Sequence, residues 1–158
     1  MEKINKLKHL FNDHRLDGYI IPKNDEFFGE YIPESEDKLK FISNFSGSYG
    51  FALILKDKNY LFVDGRYTLQ AKIQSGKMFE IITIPNKLPL DVLKKKKIKI
   101  GLDPKLHTKK SLNFFFSKTN CKLISIDQNL INKLWLKKKH YNINSFYILP
   151  KKVVGNDY

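Results

Sequence analysis

Short apolar runs that alternate with amphipathic segments constrain the fold of this chain more than any other feature of its sequence. The runs are three to six residues long, which suits buried strands better than helices. The segments between them place apolar residues at helical spacing, as Ile4, Leu7 and Phe11 do near the start. Alternation of this kind is typical of an α/β sandwich, in which a mixed β-sheet is flanked by helices.

The apolar runs predict six strands, at 19–21, 51–55, 60–63, 79–84, 98–102 and 122–126. Residues 56–59 turn the second strand into a hairpin with the third. Helices are predicted over 3–15, from Ser35-Glu36-Asp37 onward, over 67–74 with Gly76 as its end, over 90–95, after a Thr108 cap, and from Asp127 or Asn129. The polar and aromatic segment 23–34 is predicted to be a surface loop.

The pattern breaks after a run of three lysines near residue 138. Residues 1–138 are therefore predicted to form one domain, and 139–158 a linker with the truncated start of a second domain. No apolar run approaches the roughly 18 residues of a membrane helix, and Met1–Phe11 lacks the features of a secretory signal. The single cysteine, Cys121, excludes a disulfide framework and a cysteine-based zinc site. These features predict a cytoplasmic protein without membrane contact.

The net charge of +13 raises the possibility of nucleic-acid binding. However, the basic residues are 27 lysines and only two arginines, Arg15 and Arg66, although arginine is the better partner for phosphates and bases. We interpret the lysines as a compositional bias of surface positions. The runs Lys94–Lys97 and Lys137–Lys139 should be solvated and share no groove. By the same reasoning, an arginine kept against this bias points to a role that lysine cannot fill.

No catalytic or metal-binding constellation is apparent in the sequence. There is no phosphate-binding loop, and Gly47-Ser48-Tyr49-Gly50 does not form a nucleophile elbow. The four histidines, His9, His14, His107 and His140, are scattered, and each is interpreted as solvated or capping. The acidic residues between Asp25 and Asp37 lack a glycine-centred calcium loop and are interpreted as a solvated loop.

The most informative segment is Asp64-Gly65-Arg66-Tyr67, where a predicted strand gives way to a helix. Such ends carry ligand contacts in α/β folds. Gly65 would permit a positive φ, Asp64 could accept hydrogen bonds from the first-turn amides, and Arg66 could grip a carboxylate with two prongs. The alternative is that Asp64 and Arg66 simply pair and pin the turn. The residues alone favour neither interpretation.

Six blocks in order resemble the N-terminal domain of the three-domain Xaa-Pro aminopeptidases, also called aminopeptidase P. The resemblance covers roughly residues 15–136, and its blocks are 17–22 with Asp25, 30–32, 41–48, 64–71, 100–104 and 129–135. There are three departures. Tyr49 replaces a small residue, Phe62-Val63 replaces Trp-Thr, and Lys137–Lys139 replaces a closing Arg-Pro.

The resemblance implies a creatinase/prolidase N-terminal fold and a non-catalytic role in a metal-dependent peptidase that cleaves before proline. The domain would shape the mouth of the active site and contribute oligomer contacts, with Asp64, Arg66 and Tyr67 touching substrate or another domain. Two metal ions, usually manganese, would lie in a missing C-terminal domain, so this chain would hold no cofactor and would be inactive alone. Expected partners are the remaining domains, proline-containing peptides and a second copy.

Two other functions stay open from the sequence. One is a stand-alone interaction or nucleic-acid-binding module on the same fold, although nucleic acid is not the expected partner. The other is a small α/β enzyme whose site the sequence does not reveal.

Overall fold

A six-stranded sheet organises the computed structural model, which describes residues 1–93, 96–135 and 147–155 (of 151 and 154, the backbone only). The strands are β1 (Gly18–Pro22), β2 (Gly50–Leu55), β3 (Asn59–Asp64), β4 (Glu80–Ile84), β5 (Lys99–Leu102) and β6 (Lys122–Ser125). Their order across the sheet is β4-β3-β2-β1-β5-β6. Only β2 is antiparallel to its neighbours, and the other pairs are parallel.

This topology brings five strand ends to one edge of the sheet, because β1, β3, β4, β5 and β6 all run the same way. The start of β2 joins them there. We call this the carboxyl edge. Ligand sites of open α/β sheets lie outside such an edge, and the 64–67 segment follows directly on the end of β3.

Helices cover both faces of the sheet. They are α1 (Glu2–Asp13), α2 (Lys38–Ser43), α3 (Thr68–Ser75), α4 (Pro89–Leu93), α5 (Lys109–Phe116), α6 (Leu130–Leu134) and α7 (Lys151–Val154), with 3-10 turns at Gly65–Tyr67 and Pro104–Leu106. Buried residues of α1, α2, α3 and α6 share one core, while Leu93 of α4 and Phe116 of α5 belong to the other. Tyr19 and Ile21 of β1 face the first core and Ile20 the second, so this central strand is buried on both sides.

The mixed sheet flanked by helices is confirmed, and all six predicted strands are present within two residues of their predicted ends. One helix start was placed too early. Asp37 rather than Ser35 caps α2, because its carboxylate accepts a hydrogen bond from the Lys40 amide at 2.9 Å. The Thr108 and Asn129 caps are as predicted.

Some expectations fall on residues outside the described ranges. These include the end of the helix predicted over 90–95 and the domain boundary near 138, which remains a prediction. Of the two lysine runs, Lys96 and Lys97 are exposed, and the rest of both runs lies outside the described residues. Within the described ranges, every helix is too short or too polar to cross a bilayer.

Candidate functional site at the carboxyl edge

The turn after β3 is held by the side chain of Asp64. Its Oδ1 accepts the backbone N–H of Arg66 at 2.9 Å, and its Oδ2 accepts Nη2 and Nε of the same residue at 2.6 and 3.1 Å. These hydrogen bonds lower the pKa of the Asp64 carboxyl. The internal pair of Asp64 and Arg66, the alternative interpretation of this turn, is therefore present. It still leaves the Arg66 side chain 73% exposed, so the pair orients the guanidinium without hiding it.

The expected role of Gly65 is wrong. This residue begins a 3-10 turn and is absent from the positive-φ residues among those described. A Cβ built at Gly65 would meet no atom within 4 Å. The turn therefore needs Asp64 as its cap, and it does not need the conformational freedom of glycine.

Tyr67 is fixed from both sides, whereas the Arg66 guanidinium stays exposed although Asp64 holds it. The Tyr67 ring packs edge-on against Phe45 with centroids 5.8 Å apart, and its hydroxyl shares a 2.7 Å hydrogen bond with Ser48 Oγ. The Arg66 guanidinium carbon lies 5.3 Å from the Tyr67 ring centroid, within cation–π range. Tyr67 thus acts as a platform that supports Arg66.

Gly47 makes this platform possible. A Cβ at Gly47 would lie 2.3 Å from Cζ of Phe45 and 2.8 Å from Cδ1 of Tyr67. No side chain fits between these two rings. The glycine of the 41–48 block and the tyrosine of the 64–71 block are therefore parts of one packing arrangement.

Glutamines of α3 fasten the same loop. Gln70 and Gln74 each donate a side-chain hydrogen bond to Ser46 Oγ at 2.9 Å, and the Ser46 amide donates back to Gln74 Oε1 at 3.0 Å. Ser75 Oγ adds a buried hydrogen bond to the Ser43 carbonyl at 2.8 Å. Sequence reasoning missed this network. The only signal in the sequence was that blocks 41–48 and 64–71 both match the family pattern. That match does not show that the two blocks contact each other.

Two further blocks also meet at the carboxyl edge. Asn129 donates from Nδ2 to Asp103 Oδ2 at 2.8 Å, and both side chains are buried. The Leu130 amide donates to the Tyr19 hydroxyl, whose pKa is raised by burial. Three blocks of the family-like signature therefore hold β1, the end of β5 and the start of α6 together.

The interpretation of 25–37 as a solvated loop is wrong for two of its carboxylates. Asp25 and Asp37 are buried. Asp25 Oδ1 accepts the amides of Phe27 and Gly29 at 3.0 and 3.1 Å, which leaves the Phe27 ring 82% exposed. Asp37 forms an ion pair with Lys23 in which both side chains are less than 10% exposed. Sequence periodicity missed these groups because each is buried by partners distant along the chain or by its own turn.

An open cleft of about 700 Å³ lies along this part of the edge. Its lining includes the acidic residues Asp25, Glu36 and Asp103 and the basic residues Lys38, Lys105 and Lys133. Asp64, Arg66 and Tyr67 do not line it. Over residues 1–93, 96–135 and 147–155, no group of three or more histidine, cysteine or acidic side chains is placed to hold a metal ion. The described residues therefore do not fit a dinuclear metal centre.

His107 differs from the solvated or capping state expected of the histidines, because its Nε2 is buried without a hydrogen-bond partner among the described residues. His9 is exposed, His14 is half-buried, and His140 lies outside the described residues. The His107 side chain is half-buried, and this burial lowers the pKa of His107 to about 4.

Comparison with known proteins identifies relatives of the whole domain. The creatinase/prolidase N-terminal domain family matches residues 3–134. Aminopeptidase P1 of Lotus japonicus is 30% identical over 96% of this chain, and a probable Xaa-Pro aminopeptidase P of Laccaria bicolor is 34% identical over 85%. The chain spans 24% and 22% of these two relatives, about a quarter of their length.

Solved structures agree with the fold. An X-prolyl aminopeptidase from Caenorhabditis elegans, described as a cytosolic enzyme with a di-nuclear active site, superposes with a TM-score of 0.76 at 27% identity. That match covers 85% of this chain and 25% of the enzyme. The N-terminal domain of the peptidase PepQ from Mycobacterium tuberculosis superposes over 98% of its own length, with a TM-score of 0.62 at 21% identity. The second match is the crystal structure of an N-terminal domain on its own.

Proposed function

Because this chain belongs to the creatinase/prolidase N-terminal domain family, we propose that it serves as the non-catalytic N-terminal domain of a metal-dependent Xaa-Pro aminopeptidase. The support is the similarity of this chain to relatives named aminopeptidase P1 and probable Xaa-Pro aminopeptidase P, of whose length it covers about a quarter. The metal-bound chemistry would then lie in the remaining three quarters, with manganese as the proposed metal. A cytoplasmic location is part of the proposal, supported by the description of the C. elegans relative as cytosolic.

The carboxyl edge is the part of the domain that would meet substrate or the catalytic half. The observation that carries this is the state of Arg66, which is 73% exposed yet aimed by Asp64 and supported by Tyr67. A fixed, exposed guanidinium is suited to a carboxylate on a peptide or on a neighbouring domain. Contributions to the active-site mouth and to a homodimer belong to the same proposal.

An activity assay on two proteins tests this function. The isolated 158-residue chain should release no N-terminal residue from Xaa-Pro peptides, with or without added Mn²⁺, because the described residues lack a metal-binding group. A chimera in which residues 1–135 replace the N-terminal domain of the C. elegans enzyme should cleave the same peptides.

The truncated C. elegans enzyme without any N-terminal domain is the control. Metal-dependent cleavage by the isolated chain would overturn the proposal. Equal activity of the chimera and of the truncated enzyme would do the same, because the domain would then add nothing to the reaction.

A further inference from the structure

A second cavity lies at the carboxyl edge, between the end of β1, the start of β2 and α5. It measures about 110 Å³. Its walls are mainly apolar and aromatic, with Phe51 and Phe115 in contact at a ring-centroid distance of 4.9 Å. Tyr49 lies among the lining residues and is 46% exposed, so the cavity has a rim at the surface.

One residue of the cavity lining carries an unused polar atom. Nε2 of His107 is buried and has no hydrogen-bond partner among the described residues. Three other polar side chains of the lining are already engaged, and Tyr49 lies at the exposed rim. Lys23 pairs with Asp37, Asn24 donates to the Leu106 carbonyl, and Ser111 donates to the Thr108 carbonyl. A buried polar atom without a partner costs free energy that a ligand group can recover.

The size and chemistry of the cavity limit what can enter. An apolar cavity of roughly 150 Å³ holds one benzene ring, so a cavity of about 110 Å³ that opens at a rim admits at most a single planar ring, part of which would stay at the mouth. The ring nitrogen of a neutral histidine is a donor in one tautomer and an acceptor in the other. A hydroxyl group can fill either role, whereas a methyl group can fill neither.

We propose that this cavity is a binding site for a phenol-type ring, whose hydroxyl group bonds to Nε2 of His107 while its ring packs against Phe51 and Phe115. The chemistry is that of a free phenol or of a tyrosine side chain. Tyr49, a large residue at the position where the resembling pattern has a small one, would form part of the rim. The site uses neither Arg66 nor its supporting residues.

Nuclear magnetic resonance titration of the ¹⁵N-labelled chain tests the proposal, with phenol and toluene as matched probes. A seven-atom ligand should bind with Kd on the order of 1–10 mM. Phenol should cause saturable shifts of the amides of Gly50, Phe51 and Leu112 and of the His107 ring nitrogen. His107→Phe should lower the preference for phenol over toluene about tenfold, the loss expected for one buried hydrogen bond.

Two further variants keep the test independent of His107. Ser111→Phe, which fills the cavity from α5, should abolish binding of both probes. Ser117→Phe, on an exposed residue at the end of the same helix, should leave both unchanged. N-acetyl-L-tyrosinamide separates the two sources. Saturable binding supports a tyrosine side chain as occupant, and binding of phenol alone supports a free small molecule.

The proposal is overturned if phenol produces no saturable shift up to about 50 mM, well above the expected Kd. It is also overturned if His107→Phe keeps the wild-type preference for phenol, or if Ser111→Phe and Ser117→Phe bind phenol equally.

Discussion

The chain has only two arginines beside its 27 lysines, and the structure gives a reason for arginine at only one of the two positions. Arg66 makes a two-pronged contact with Asp64 that the single ammonium of lysine would reproduce poorly. Arg15 is exposed at the end of α1 with φ of 52°, and nothing in the structure explains a preference for arginine there. Rarity is therefore a guide to Arg66 only together with its place at a strand end.

The buried pair of Asp103 and Asn129 should matter more for stability than its exposed neighbours. Asn129→Ala removes the cap of α6 and leaves Asp103 Oδ2 without its partner. We expect a loss of about 2–3 kcal/mol in the free energy of unfolding, measured by urea denaturation. Asn132→Ala, on an exposed residue of the same helix, is the matched control and should change stability by less than about 0.5 kcal/mol. Equal effects would show that the pair is not important.

His107 should make stability depend on pH. Its pKa of about 4 in the folded chain is below the usual value near 6.5, so the unfolded chain binds the proton more readily. The stability that neutral His107 contributes is complete above pH 6.5 and is lost as the pH falls towards 4. Between pH 7.5 and 4.5, the wild type should lose on the order of 2 kcal/mol more than His107→Phe. Identical losses in urea titrations at the two pH values would contradict this.

At the scale of elements, the sequence was a good guide to strands and a poor guide to how loops contact one another. Strand positions follow from local runs such as 51–55, which are apolar because both faces of β2 are buried. The contact of Gly47 with Phe45 and Tyr67 joins two loops that are distant in sequence, and no local pattern encodes it. The buried ion pair of Lys23 and Asp37 could not be predicted for the same reason. Charged residues are expected to be exposed to solvent when only their neighbours in the sequence are considered.

Two glycine substitutions separate packing from backbone freedom. Gly47→Ala should destabilise the domain by about 1–3 kcal/mol, because its Cβ would overlap the rings of Phe45 and Tyr67. Gly65→Ala should be neutral or slightly stabilising, because its Cβ has space and its φ is not positive. Thermal unfolding of both variants decides the matter. A larger loss at Gly65 than at Gly47 would contradict the described geometry of the turn.

At the scale of the whole molecule, the sheet topology determines where a function can lie. With only β2 reversed, the ends of five strands gather the 64–67 turn, the loop after Asp25 and the pair of Asp103 and Asn129 at one edge. The sequence could predict that Asp64, Arg66 and Tyr67 sit at a strand end. It could not predict that Tyr67 contacts Phe45 and Ser48, because these residues lie in the loop before β2 and reach Tyr67 only through the pairing of β2 with β3. Although the net charge is +13, neither arginine lines the cleft or the cavity described above.

Arg66→Lys, measured in two settings, tests most directly the proposal that Arg66 acts outside its own domain. In the isolated chain, the melting temperature should change by less than about 2 °C, because the pair with Asp64 is exposed to solvent. In the chimera with the C. elegans catalytic domains, kcat/KM for an Xaa-Pro peptide should fall about tenfold or more, the loss of a charge-assisted contact. Lys72→Arg, on an exposed position of α3, should leave both quantities unchanged. A destabilised isolated chain together with an unchanged kcat/KM would contradict the account and would leave Arg66 as a pin for its own turn.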